Sequence, residues 1–582
     1  MKDSLRQCSA WLHTWTGLIT GWVLFFVFVT GTAGYVDDEI TRWMQPERPL
    51  SSKVDRDDQR MLSMALERLQ VVAPDAKSWT VTLPHYGFEP RGELGLSIAW
   101  ESMPPVGDDF GVSGSEKLDP VTGAFQQEAE PRATAGGRGL YRMHYVLRYM
   151  PASTGAKIVG ICTMLMLLAV VTGVITHKKI FTDFFTFRPG KGQRSWLDAH
   201  NVVSVMSLPF FLMITYSGLV FFAFHYLPAG RDVLYGSSDM QRQSYVDELH
   251  GSRPDYEAVT LPSVPVFELV QRVEADGRLG RVASLQIMHP KGKTPYIEVR
   301  RVGALGINYD DSNVQRFSAI DGASLPFDEG SNATLRTQNT LLALHEGNFA
   351  NWGLRWLYFL SGLLGCAVIG TGLVMWTVKR RTQHQRHITK QGGDSFTARL
   401  NASGLRLVEV LNAGTLVGVP LGVAACFWAN RLLPVSMMNR AAWELNALFL
   451  VWFMALLYAC IRPLKQAWLE LLYVTIAAYA LIPLLNLFTT DKHLGVTVPS
   501  SDWGLAGVDL TMLALAAVFA YIAFKLRHKW QVVEIVAQAT LKAEAPVAKP
   551  LSLVSASDVA AEAASKGRLH IEKPYTERGG QA

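Results

Sequence analysis

Apolar runs long enough to cross a bilayer recur eight times along the chain, at 11–36, 155–176, 202–224, 354–378, 405–429, 443–461, 468–488 and 505–524. A hydrocarbon core about 30 Å thick takes roughly 20 residues of helix at 1.5 Å each, so every run predicts a spanning helix. Long polar segments, at about 40–145 and 227–345, separate the first run from the second and the third from the fourth. Lysine and arginine in short loops resist translocation and mark the cytoplasmic side. They collect at Lys178, Lys179, Arg188, Lys191 and Arg194, at Lys379, Arg380, Arg381, Arg386 and Lys390, and at Lys525, Arg527 and Lys529. The expectation is a mainly α, multi-pass protein of a bacterial inner membrane, in contact with lipid, with both termini cytoplasmic and both polar segments periplasmic.

The polar segments carry a pattern of their own. Residues 55–72 place Met61, Leu62, Met64, Ala65 and Leu69 at helical spacing, and strand-like stretches follow at 79–83 and 94–100. The second segment repeats the order, with a helix at 266–273 and strands at 283–288 and 296–302. Turn chemistry closes each copy, at Asp119-Pro120-Val121-Thr122-Gly123 and at Asp321-Gly322. Each segment therefore predicts a small α+β domain. The spans repeat too: His13 stands eighteen residues before Gly31 and His200 eighteen before Gly218, while His144 and His345 precede Thr172-Gly173 and Thr371-Gly372 by nearly equal distances. Helix, outward domain, helix, used twice, predicts a pseudo-symmetric four-helix bundle. The repeat makes the first span a counterpart of the third, so it is expected to be retained and not removed as a signal peptide.

The spacing of His13 from its glycines, the turn at Gly123, the histidines ahead of the second and fourth spans, and Arg188-Pro189 followed by Asp198-Ala199-His200-Asn201 resemble the PepSY-associated transmembrane family, over roughly residues 1–385. Members of that family include periplasm-facing ferric-siderophore reductases with two haems b, and iron-regulated proteins with no assigned substrate. The resemblance implies a transmembrane helix (1–36), a PepSY-like domain (37–150), two spans (151–226), a second PepSY-like domain (227–345) and a fourth span (346–380). A cytoplasmic linker (381–404), four further spans (405–530) and a tail (531–582) lie beyond it. The tail is rich in Ala, Pro and Ser and is expected to be disordered. The four further spans show few ionisable residues, with Glu444, Glu470 and Asp509 near their ends, and read as a packing or anchoring extension.

Six of the fourteen histidines cluster at the ends of the first four spans. By the topology above, His13, His177 and His200 share the cytoplasmic end, and His144, His225 and His345 the periplasmic end. One histidine at a membrane boundary is explained by interfacial hydrogen bonding; four at repeat-related positions call for a shared role. Neutral imidazoles on bundle-facing helices are axial ligands for haem iron, and glycines such as Gly17, Gly21, Gly173 and Gly218 relieve crowding around a flat macrocycle. Symmetry favours His13 with His200 and His144 with His345. His177 and His225 have no repeat partner and stay as substitutes. Cys8, Cys162, Cys366, Cys426 and Cys460 lie in or beside spans and there is no C-x-x-C-H, so any haem is held non-covalently as haem b, two per chain.

Arg138, Arg142, Tyr141 and Tyr145 surround the approach to the His144/His345 end, where cations and phenols suit an anionic ferric chelate. No nucleotide-binding signature appears, so electrons are expected from a membrane quinol or a cytoplasmic flavoprotein, which Arg188, Lys191 and Arg194 could dock. The net charge of +5 is accounted for by the cytoplasmic collar and points to no nucleic-acid partner. No protein nucleophile or paired acid is needed and no catalytic side chain is assigned. The expected function is haem b electron transfer to a periplasmic acceptor, with ferric siderophore as the acceptor the resemblance implies. The rival expectation is a PepSY-type binding or regulatory module on a membrane anchor, without redox activity.

Overall fold

The computed structural model describes residues 2–50, 56–84, 95–103, 111–125, 131–177, 193–250, 255–276, 281–301, 314–326, 333–391 and 396–544. Lys178, Lys179, Arg188 and Lys191 lie outside the described residues, as does the tail beyond 544. One compact unit covers Met1–Ala523; a second, Phe524–Ala582, is helical as far as Glu544.

In chain order the first repeat contains α1 (Lys2–Gly34), α2 (Asp37–Met44), α3 (Asp58–Val72), β1 (Ala76–Thr82), β2 (Ser97–Ser102), β3 (Ser113–Lys117), α4 (Gly136–Tyr145) and α5 (Ala152–Thr176). The second contains α6 (Gln193–Met206), α7 (Leu208–Phe221), α8 (Ala223–Tyr226), α9 (Ala229–Leu234), α10 (Asp239–His250), α11 (Val266–Glu274), β4 (Val282–Met288), β5 (Tyr296–Arg301), β6 (Val314–Ser318), β7 (Ser324–Leu325), α12 (Ala333–Glu346) and α13 (Trp352–Gln391). The extension adds α14 (Phe396–Leu416), α15 (Gly418–Leu432), α16 (Arg440–Ile461), α17 (Leu464–Ala480), α18 (Ile482–Thr489), α19 (Leu494–Thr497) and α20 (Trp503–Glu544).

Among the described residues seven helices are long and apolar enough to span a membrane, and the pair α6–α7, bent by 65°, supplies an eighth if taken as one span. The break falls at Ser207, just ahead of Pro209, whose missing N–H cannot continue the ladder. Apolar side chains such as Ile161, Leu168, Val171 and Ile175 of α5 are exposed, as lipid contact requires. The linker expected at 381–404 is largely helical, because α13 runs on to Gln391 and α14 begins at Phe396. Its Lys, Arg and Gln are good helix formers. For the same reason α20 extends past 531, where a disordered tail was expected, to Glu544.

The two polar segments build one seven-stranded sheet, in the order β3-β2-β1-β4-β5-β6-β7, where the sequence suggests two separate domains. The join is an antiparallel pairing of β1 with β4, placing Trp79 opposite Ile287 and Val81 opposite Leu285. Each copy alone would leave an edge of unpaired N–H and C=O groups; pairing removes one edge from each. Helices α3 and α11 cover the sheet with Met61, Leu62, Leu69, Leu269, Val270 and Val273. Gly123 and Gly322 take positive φ, +71° and +72°, at the two repeat-related turns. In the first, the Asp119 carboxylate accepts from the Val121 and Thr122 amides, 2.9 and 2.7 Å away.

The ends of the first polar segment belong elsewhere. Ile40, Trp43 and Met44 of α2 and Leu140 and Met143 of α4 pack with Phe25, Phe26, Phe427 and Leu448 in a core shared by the bundle and the extension. The extension is also not poor in buried charge: Arg431, Arg440, Glu444, Asp502 and Asp509 are all buried. Some of their partners lie within the extension, as Arg440 with Glu444 and Arg431 with Asn486, and others are contributed by α2 and the chain ahead of α4. Trp43 Nε1 donates to Asp509 at 2.9 Å, Arg42 pairs with Asp502 at 2.8 Å, and the Arg431 guanidinium lies over the Trp43 ring.

Trp79→Ala removes a side chain 1% exposed whose Nε1 donates to the Ala73 carbonyl. It should cost about 3–5 kcal/mol of local stability. Limited proteolysis should then cut residues 58–325 faster while the spanning fragments stay intact; unchanged protection would contradict this core.

Candidate functional site: two facing histidine pairs

Four of the six histidines singled out by the sequence meet in two pairs. The His13 (α1) and His200 (α6) ring centres are 6.3 Å apart, and those of His144 (α4) and His345 (α12) are 6.0 Å apart. His144 rests at Gly31, eighteen residues along α1 from His13. At 1.5 Å per residue the pairs are therefore about 27 Å apart along that helix.

Each ring occupies the same kind of seat. A Cβ at Gly31 would run into His144; one at Gly218 would stand 2.8 Å from His345 Cε1, at Gly173 3.1 Å from His13 Cε1, and at Gly372 3.4 Å from His200 Cε1. Every seat glycine follows a Thr or Ser: Thr30, Ser217, Thr172 and Thr371. The imidazole also meets the carbonyl four residues before its glycine. His13 Nδ1 donates to the Ala169 carbonyl at 2.7 Å, and His144 Nδ1 to that of Val27 at 2.8 Å. His200 and His345 engage the Val368 and Ile214 carbonyls. Their Nδ1 atoms also donate to the hydroxyls of Thr371, at 3.1 Å, and Ser217, at 3.0 Å.

A carbonyl can only accept, so Nδ1 carries the proton and Nε2 keeps its lone pair. His144 and His345 lie on helices outside the spans. There burial pushes both imidazoles below their ordinary range, and His345, which also faces His144, falls to about 3. Burial therefore favours the neutral form of both rings. An iron bound by one imidazole nitrogen on each face, at about 2 Å, holds the ring centres roughly 6 Å apart. Both pairs show that spacing. Among the described residues no group of three or more His, Cys, Asp or Glu side chains gathers as a metal site.

Each pair lines a cavity. That of His144 and His345 measures about 400 Å³ and is walled by aromatic rings, Tyr35, Tyr141, Tyr145, Phe221, Phe222 and Tyr226 among them. That of His13 and His200 measures about 810 Å³ and includes Gly17, Gly21, Gly173, Gly365 and Gly372. Both volumes are of the size that holds cofactors, about 300–1,000 Å³. Leu24 and Met166 line both cavities and form the wall between them.

The remaining candidates fall around these pairs. His177 lines the larger cavity, but its Nε2 is 2.8 Å from the Asn201 side-chain amide, so the nitrogen free in the other four rings is engaged here. His225 is exposed on α8, edge-on to Phe222 with ring centres 5.5 Å apart, and does not join the His144/His345 pair. Tyr141 and Tyr145 line the smaller cavity with rings 5.5 Å apart, and Arg138 and Arg142 are exposed on the same helix. Arg194 lines the larger cavity. Sequence reading noted Gly31, Gly218, Thr172-Gly173 and Thr371-Gly372 at repeat-related offsets without seeing that each glycine seats a histidine from another helix. It missed Tyr35, whose hydroxyl donates to the His345 carbonyl, and Glu444, which anchors the start of α4.

Fold and site together define a multi-pass membrane protein built on an internally duplicated, histidine-bearing four-helix bundle. The chain belongs to the family described as PepSY-associated TM region, which matches residues 10–379. The extension from α14 onward lies outside that match. No curated protein matches the chain.

The seats differ in tightness, which gives a contrast to measure. Gly31→Ala should overpack the His144 seat and cost about 1–3 kcal/mol, lowering the thermal midpoint of the detergent-purified protein. Gly372→Ala, whose methyl would stand in ordinary contact at 3.4 Å, should leave it unchanged; equal effects would contradict the geometry.

Proposed function

We propose that this chain carries electrons across a bacterial inner membrane on two non-covalent haems b and delivers them to a periplasmic acceptor, a ferric siderophore. His13 and His200 hold the haem near the cytoplasmic face; His144 and His345 hold the one near the periplasmic face. The observation that supports this most is the fourfold seat, in which a glycine admits the ring and a helix carbonyl takes Nδ1–H, in two pairs spaced for a metal. Bound haem supplies a one-electron couple, tuned by its axial imidazoles and by burial.

The residues of the chain supply the rest. Leu24 and Met166 keep water from the gap between the cavities. On α4, Arg138, Tyr141, Arg142 and Tyr145 follow at i, i+3, i+4 and i+7, so two exposed cations and two phenols share one face beside the periplasmic cavity. That face suits an anionic chelate, with guanidinium for charge and phenol rings for stacking. Reducing Fe(III) to Fe(II) weakens its hold by hard oxygen ligands, so delivering the electron releases the metal. The electron donor is a membrane quinol or a cytoplasmic flavoprotein, and Arg194 stands by the inner cavity to meet it.

Two measurements test the reading. Purified protein reduced with dithionite and freed of excess reductant should be reoxidised by a ferric siderophore, with Fe(II) captured by a ferrous chelator. No reoxidation would favour the binding-module reading. For the ligands, His144→Ala or His345→Ala should lower haem content from two per chain to one, and His13→Ala or His200→Ala should remove the other. His177→Ala and His225→Ala should keep both. Loss of haem in His177→Ala with retention in His13→Ala would reassign the inner pair.

A further inference from the structure

The extension, which the family match does not cover, grips the chain at both ends of α4. The start of α4 has backbone N–H groups with no helical partner. Glu444 of α16, 0% exposed, provides for them. Its Oε2 accepts from the Ala135 amide at 2.9 Å and from the Thr134 hydroxyl at 2.6 Å, and that hydroxyl in turn accepts from the Gly136 amide at 3.0 Å. Its Oε1 accepts from Asn430 Nδ2 at 2.7 Å and from Arg440 Nη1 at 2.5 Å, and Arg440 also donates to the Ala133 carbonyl at 2.8 Å. Past the other end of α4, Arg148 donates to the Ala442 carbonyl and to Asn446 Oδ1, both of α16, at 3.2 and 3.1 Å. Between the two grips, Leu140 and Met143 bury against Leu445 and Leu448. His144 is the next residue after Met143.

A charge buried this deep needs every lone pair satisfied, and here the satisfied groups are the backbone of the segment that ends in a ring of the outer pair. We propose that the C-terminal extension is a positioning scaffold for His144, with Glu444 its key positioning residue, and that Glu444 acts on the ligation of the periplasmic-side haem. This rests on the haem reading above and assigns the four added spans a role in it. His13 and His200 sit on α1 and α6, which none of these Glu444 hydrogen bonds reaches, so the inner haem is the internal control.

The test is Glu444→Gln in the full-length protein, read by haem content and by low-temperature electron paramagnetic resonance of the oxidised state. Gln keeps the shape but turns an NH2 toward donors where a carboxylate oxygen accepted. The expected result is a shift or loss of one low-spin haem signal, with haem content falling from two per chain toward one, while the signal that survives in His144→Ala is unmoved. Thr134→Val, which deletes a single hydroxyl from the bridge, should shift the same signal less; it is the second variant should Glu444→Gln fold poorly. If the wild type holds two haems and neither variant alters the outer signal, or both signals fall together, the scaffold proposal is overturned and the haem reading stands. A wild type without haem overturns both.

Discussion

Donation of an imidazole Nδ1–H to a helix carbonyl beside a glycine is the constraint on which this structure turns. Inside a bilayer a backbone carbonyl already serves its own helix, and a second donor can reach it where the neighbouring side chain is missing. The four seats meet that condition by the same device: Gly31, Gly173, Gly218 and Gly372 leave room, and Val27, Ala169, Ile214 and Val368 accept. The preceding hydroxyls of Thr30, Thr172, Ser217 and Thr371 turn back onto those carbonyls as well. Fixing Nδ1 fixes the tautomer, and the tautomer decides which nitrogen is left to bind a metal. Duplication then does the rest, since one helix–domain–helix unit supplies a ring and a seat at each end.

The extension meets a second requirement of the same kind. Helices α2 and α4 are short, amphipathic and carry many polar groups, and they lie against the bundle where such groups need partners. Arg42 finds Asp502, Trp43 finds Asp509, and the start of α4 finds Glu444. Arg355 of α13 closes the circuit from the other side by donating to the Tyr35 carbonyl and pairing with Glu39 at 2.9 Å. Removing one member of such a buried network leaves its partner's charge unpaired, which costs far more than a surface ion pair is worth. The network ties α2 and the start of α4 to the extension.

Much of this was legible in the sequence. The spans follow from apolar length, the repeat from the offsets of His13 to Gly31 and His200 to Gly218, and the strands and turns of the sheet from alternation and from Gly123 and Gly322. The pairing of histidines followed from symmetry, and the structure brings together those that symmetry selected. What stayed hidden depends on contacts distant in sequence. Nothing local tells that α4 leaves the polar domain to pack against α1 and α2, or that β1 and β4 fuse two domains into one sheet. The seat was half visible: Ser/Thr-Gly recurs four times, but the ring that each glycine admits arrives from a different helix. Arg440 and Glu444, spaced i, i+4 in an apolar run, were a local sign of a buried pair whose purpose only the packing reveals. His177 shows the converse, a candidate whose Nε2 meets the Asn201 side-chain amide.

The central claim is that both histidine pairs hold iron porphyrin by two imidazoles. A reduced-minus-oxidised absorption spectrum of the purified wild-type protein, with haem quantified per chain, tests it most directly. The proposed function predicts paired Soret and α-band changes of six-coordinate haem b at two haems per chain. A protein purified from haem-replete cells with no such bands would contradict it.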